Sequence, residues 1–210
     1  MLYVTHKKFA IFWALLGVMY LYYKGMTEIN YYLALMLVVP FSKVGAVFPD
    51  LDHDWKNVKF KNILTWVVNK LIHLTGGRHR SWQTHSIDIA VICAILSVYL
   101  PEKLYTLGKV SQVNREVLSI IMIGFSLGWL SHIFSDMLTT GKVRLLCFAN
   151  WRVGFVPRRF LGLQFKTGGQ WEWFVSSVTD KINVITTIVA LVFPVLLKYN
   201  VLSLILKIKG

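Results

Sequence analysis

The sequence predicts an all-α fold, a polytopic membrane bundle of about five hydrophobic helices with one further amphipathic helix at an interface. Three observations carry that expectation. The chain is 55% hydrophobic with a mean hydropathy of +0.54, too apolar for an ordinary soluble domain. Five apolar stretches recur along it, separated by basic segments. Its eight Trp and nine Tyr suit the aromatic belts at membrane–water boundaries as well as a core. At 210 residues there is room for a single domain, 1–210.

The first span covers residues 9–23 and can extend back toward His6, with the Lys7 and Lys8 ammonium groups snorkelling to the boundary. Its start superficially resembles a signal peptide, but bulky Tyr20, Leu21, Tyr22 and Tyr23 replace a small-residue cleavage site, so a retained span is expected. The second span, 29–48, carries Pro40, Lys43 and Gly45 and is expected to kink there; Pro49 then opens an irregular Asp-rich stretch. Residues 57–74 alternate apolar and polar side chains at helical spacing, as an amphipathic helix on an interface does. Thr75-Gly76-Gly77 ends it. The third span, 85–100, stops at Pro101, and the fourth covers 117–138. Residues 141–181 form a long basic segment, part loop and part short hairpin. The last span covers 182–197 and can continue to 206.

Charge orients the bundle. With the N-terminus inside, fifteen Lys and Arg fall on the cytoplasmic side and seven opposite, Lys43 lying within the second span. A net charge of +13 also fits nucleic acid, but in so apolar a chain anionic lipid is the expected partner and nucleic acid is unlikely. Cys93 and Cys147 form no disulfide framework and have no zinc-finger spacing. Oligomeric state is not legible.

The chemistry lies in His and carboxylate residues set at the ends of these spans. Ionisable groups against hydrocarbon are costly and persist mainly where a bundle interior or a site uses them. His132 and Asp136 are four apart on a helix, hence on one face. Gly124 and Gly128 precede them at a spacing that lets another helix approach closely. Asp50, Asp52, His53 and Asp54 crowd one short break in a chain with only ten acidic residues. His79 and His85 open the third span, where Thr84 or Ser86 can cap the turn or orient an imidazole. Asp88, three after His85, is a candidate acceptor for it. His6 lies at the same depth, and Glu172 sits between Trp171 and Trp173 in the basic segment. His73 reads as ordinary surface. Together, His6, Asp50, Asp52, His53, His79, His85, His132, Asp136 and Glu172 are the candidate ligands of a divalent-metal centre. Imidazoles mixed with carboxylates and no Cys favour zinc, with manganese or iron as alternatives.

Three ordered motifs carry a resemblance to a known family: Phe48-Pro49-Asp50-Leu51-Asp52-His53; then His79-Arg80 with Thr84-His85-Ser86; then Ser131-His132-Ile133-Phe134-Ser135-Asp136-Met137-Leu138-Thr139. Over roughly residues 1–180 the chain resembles the YdjM-type inner-membrane proteins, a LexA-associated group described as metal-dependent hydrolases. That group also has an N-terminal His and a late Glu, matched by His6 and Glu172. Its middle motif is commonly His-Arg-Gly-Phe-Thr-His; here Ser81-Trp82-Gln83 makes it one residue longer, and how His79 and His85 divide between metals stays open. The group is distantly similar to the phospholipase C and P1-nuclease enzymes, all-helical zinc-cluster phosphoesterases. The resemblance implies a prokaryotic inner-membrane hydrolase with two or three divalent ions. Asp50 or Asp52 would take a proton from water or bridge ions, and Arg80, with Arg78 or Lys142, would clamp a phosphoester such as a phospholipid or lipid phosphate at the cytoplasmic face. The alternatives are a non-catalytic protein with a structural metal, binding a regulator through 141–181, and a small metal transporter.

Overall fold

A computed structural model describes residues 3–199 apart from 60, 79, 139–141, 145, 150, 156–158, 161, 162, 165 and 166. Seven α-helices appear among them: α1 (Tyr3–Tyr23), α2 (Glu28–Gly45), α3 (Ile63–Leu74), α4 (Trp82–His85), α5 (Ile87–Thr106), α6 (Gln112–Met137) and α7 (Gln170–Lys198). Phe48–Asp52 and Trp55–Asn57 are 3₁₀ turns between α2 and α3. The basic segment holds two short antiparallel pairs: β1 (Val143–Arg144) with β2 (Arg152–Val153), and β3 (Arg159–Phe160) with β4 (Leu163–Gln164).

Every fourth residue decides the packing. Along α6, Ile120, Gly124, Gly128, His132 and Asp136 are all buried. Facing them, α2 buries Ala34, Val38 and Ser42, with Ala46 following, and α1 buries His6, Ala10, Ala14 and Val18. Residues four apart share a helix face, so these are three stripes of small side chains that bring backbones together. A Cβ on Gly124 would lie 2.8 Å from the Val38 carbonyl oxygen, and one on Gly128 would collide with that of Ser42. The Ser42 hydroxyl donates to the Ala10 carbonyl at 3.2 Å, tying α2 to α1. On α6 the same stripe that is small at mid-helix ends in His132 and Asp136.

The fold is mostly helical, multi-span and membrane-associated. Among the described residues, three helical segments are long and apolar enough to cross a membrane: Asn30–Asp52, Gln112–Met137 and Gln170–Lys198. Five were expected. The other two, α1 and α5, form as helices of 21 and 20 residues, but Lys7 and Lys8, or Asp88, Glu102 and Lys103, interrupt their apolar runs.

The boundaries differ at two places. Helix α5 runs through Pro101 to Thr106, where Pro101 was expected to end it; a proline removes one backbone donor, a loss that packed helices in a bilayer tolerate. Helix α7 starts at Gln170, twelve residues before the expected last span, because Glu172, Asp180 and Lys181 lie within it. Asp180 is matched by Lys8 of α1 at 2.5 Å. Helix α2 is continuous through Pro40. The extension of the last span toward 206 falls outside the described residues.

Helix α3 is shorter than its sequence pattern and turned inside out. Thr65, Asn69 and Ile72 are buried, whereas Ile63, Leu64, Trp66, Val67, Leu71 and Leu74 are exposed. Asn69 donates to the Leu51 and His53 carbonyls at 2.6 and 2.8 Å, pinning the 3₁₀ turn beneath the helix. An interfacial helix would present such an apolar outer face to lipid.

Candidate metal centre

Four elements meet at one end of the three stripes. Helix α1 brings His6, the 3₁₀ turn brings Asp50 and Asp52, α4 brings His85, and the last turns of α6 bring His132 and Asp136. Pro49 at the start of the 3₁₀ turn fixes the entry of the chain, and the turn sets the two Asp carboxylates in different surroundings. Asp52 is buried, while Asp50 stays partly open.

Ring orientation follows from hydrogen-bond accounting. His132 Nδ1 lies 2.7 Å from the Ala46 carbonyl oxygen, which can only accept, so Nδ1 carries the proton and Nε2 keeps its lone pair. The Ser135 hydroxyl donates its one proton to the His132 carbonyl at 2.8 Å, so the 2.5 Å contact from His6 Nδ1 to Ser135 Oγ is an imidazole N–H donation. Thr84 Oγ1 donates to Asp52 at 2.7 Å, and His85 Nδ1 sits 2.9 Å from that hydroxyl and 3.1 Å from the same carboxylate. Nδ1–H of His85 is therefore the donor there as well. In this tautomer Nε2 carries the lone pair in all three rings, and each Nε2 lies within 3.8 Å of a carboxylate oxygen.

Those atoms converge. His132 Nε2 is 3.2 Å from His85 Nε2, 3.8 Å from Asp136 and 3.9 Å from Asp50; His85 Nε2 is 3.8 Å from Asp136, and His6 Nε2 is 3.5 Å from its other oxygen. The His6 and His132 rings stack at 3.7 Å. Two clusters result, His6–His132–Asp136 and Asp50–His85–His132, each with ligand atoms within 4.8 Å of one another and each able to coordinate a divalent ion. The donor set fits: a cation would hold together two imidazole nitrogens 3.2 Å apart beside carboxylates, and backing each Nδ1–H with a carbonyl, hydroxyl or carboxylate is how proteins fix metal-binding histidines.

Two further predicted residues, His53 and Glu172, lie outside these two clusters. His53 lies 3.8 Å from Asp50. Glu172 is buried in the first turn of α7 and accepts from the Gly168 amide at 2.8 Å; beside it, Trp171 donates to the Leu138 carbonyl at 3.3 Å, setting that turn against the end of α6. His79 lies outside the described residues. Asp88 does not serve His85: it accepts the Cys147 and Ile89 amides at 2.8 and 2.9 Å, and the carboxylate on His85 is Asp52. His73 is more than surface, bridging to the Gly77 and His53 carbonyls at 2.9 and 3.2 Å. Of the two suggested orienting hydroxyls, Thr84 is in contact with His85, and Ser86 instead donates to the Trp82 carbonyl.

Arg80 has φ +62°, a left-handed conformation uncommon for a residue with a Cβ. Its amide donates to Asp52 at 2.8 Å and its guanidinium reaches Asp136 at 3.4 Å. Such strain is held by surrounding contacts and clusters at functional sites. A cavity of about 540 Å³ opens over this edge, lined by Asp50, Asp136, Arg80, His53, Lys56 and Lys59 among others. Lys56 and Lys59, not Arg78 or Lys142, accompany Arg80 there. Ser135, the Ala46 carbonyl and these two lysines were not singled out from sequence. Ser135 was visible as the residue between His132 and Asp136 on a face adjacent to both, whereas the carbonyl leaves no sequence signal.

Comparison with known proteins identifies the family. The family described as "YdjM inner membrane protein" matches residues 1–204. The inner membrane proteins YdjM of Escherichia coli (strain K12) and of Shigella flexneri are each 32% identical over 117 residues, 55% of this chain and 51% of theirs. The chain thus aligns with about half the length of these relatives. No solved structure matches. The chain belongs to the YdjM inner-membrane protein family.

Proposed function

We propose that this YdjM-family protein is a membrane-embedded, metal-dependent hydrolase of phosphoesters, working at the cytoplasmic face of a prokaryotic inner membrane with zinc as the favoured ion. The single observation that carries the reading is that the two His/Asp clusters share a wall with a cavity whose other side is cationic. A purely structural metal site is closed by its ligands, whereas Asp50, Asp136 and Arg80 all border open space here.

The ligands would be His6, His132 and Asp136 for one ion and Asp50, His85 and His132 for a second, with His53, His79 and Glu172 as further candidates. An ion bound there activates water and draws electron density from a phosphoryl oxygen. Asp50, partly exposed and beside the cavity, is placed to take the proton from attacking water. Asp52 is a positioning residue: its carboxylate holds the His85 ring, Thr84 and the Arg80 amide. Arg80 lines the cavity with its guanidinium 3.4 Å from Asp136; its planar fork would hold two non-bridging phosphate oxygens, and Lys56 and Lys59 add positive charge.

The test is hydrolysis of a generic phosphomonoester and a phosphodiester by purified protein in nanodiscs, with metal removed and restored. Activity that depends on metal and falls by at least tenfold in Arg80→Lys, with metal content kept, supports the reading. Absence of metal-dependent turnover on either ester class rejects it.

A further inference from the structure

The site cavity adjoins a second, apolar one. A groove of about 280 Å³ lies beside it, bounded by Val44 and Phe48 after mid-α2, Phe125 of α6, and Leu64 and Val68 of α3. Tyr3, Val47 and Leu51 line both spaces, so cavity and groove adjoin across a shared wall. Lys7 and Lys43 stand on the groove, and Lys7 lies over the Tyr3 ring at 4.0 Å. Val44 and Leu64 are exposed at the groove, and α3 turns its apolar face outward beside it.

We propose that cavity and groove form one bipartite site for an amphiphilic phosphate: the anionic headgroup in the cavity beside Arg80, Lys56 and Lys59, and one hydrocarbon chain in the groove between α2 and α3. The inference rests on the hydrolase reading for its chemistry and extends it to the substrate class, a lipid phosphoester entering from the bilayer. Charge complementarity selects the headgroup, because five cationic side chains (Lys7, Lys43, Lys56, Lys59 and Arg80) surround the two spaces. Apolar lining selects the chain. The groove has no room for a folded partner, and a peptide strand would leave its backbone donors unpaired against Val, Leu and Phe. Tyr3, at the junction, would contact the linkage between headgroup and chain.

The experiment uses the full chain in phosphatidylcholine nanodiscs and two probes. A long-chain alkyl phosphate with a diazirine on its chain maps where the hydrocarbon sits, by mass spectrometry of the photolabelled peptides. Hydrolysis of butyl phosphate and of hexadecyl phosphate is followed in parallel. Labelling should concentrate on residues 44–48 and 64–68 and fall at least fivefold in Val44→Trp and in Leu64→Trp, two exposed positions where a larger ring fills the groove without entering the core. In both variants the ratio of kcat/KM for the hexadecyl ester to that for the butyl ester should fall tenfold or more. Label spread evenly over the outer face of α7, unchanged by either substitution, overturns the bipartite site even if both esters are hydrolysed. Label concentrated in the groove with neither ester hydrolysed supports the amphiphile site and rejects the hydrolase reading.

Discussion

At the scale of residues, the centre is built from outward-facing support as much as from ligands. Each Nδ1–H of His6, His85 and His132 has a fixed acceptor, so the rings are held with Nε2 inward. Ser135→Ala is expected to free the His6 ring and weaken metal binding roughly 10- to 100-fold, the usual cost of losing an outer partner; titration with a chelating competitor measures it. Ser135→Thr, which keeps the hydroxyl, should recover most of that affinity. Arg80→Lys keeps the charge and loses the fork, so turnover should fall more than metal affinity; unchanged turnover at equal metal content would remove Arg80 from the reaction. The spacing of His132 and Asp136 was legible because four residues on a helix is a fixed geometry. The pairing of Asp52 with His85 was not, since it depends on how a 3₁₀ turn meets α4 from 33 positions away in sequence, and spacing alone offered Asp88 instead.

At the scale of elements, the small-residue stripes of α1, α2 and α6 set the separation that lets imidazoles from different helices share ligand atoms. Gly128, against the Ser42 carbonyl, and Gly45, against that of Phe125, are the tightest points. Gly128→Val should therefore force α2 and α6 apart, costing about 1–3 kcal/mol as over-packing does and lowering metal occupancy together with thermal stability. Gly108, at a left-handed turn with open space around it, is the control: its substitution should lower stability without touching the metal. Gly124 and Gly128 pointed to this contact in the sequence. The true ends of α5 and α7 did not show, because Pro101 and the Asp180–Lys181 pair read as chain breaks until Lys8 and the bundle are placed around them. The amphipathic pattern of α3 was visible and suits an interfacial helix with its apolar face outward; that Asn69, beside Ile72 on the inner side, holds the Leu51 and His53 carbonyls was not.

At the scale of the whole molecule, the excess of Lys and Arg on the side of the N-terminus and of the basic segment is the ground for proposing that this end faces the cytoplasm. Cys147 in that segment tests the placement directly. In a Cys93→Ser background, a membrane-impermeant maleimide should label it in inverted vesicles and not in intact cells. The Asp88 side chain hydrogen-bonds near the Cys147 thiol and pushes its pKa up, so the reaction needs mildly alkaline buffer. Labelling from outside intact cells would reverse the orientation and put the centre on the opposite face. Everything above depends on the clusters holding metal, and the most direct measurement is elemental analysis of protein purified without chelators, compared with His132→Ala. His132 is common to both clusters, so the wild type should carry at least one divalent ion per chain, zinc foremost, and the variant should lose it along with the rise in melting temperature that added metal confers. A wild-type protein that is metal-free, and whose melting temperature responds neither to added divalent ions nor to chelator, would contradict the account.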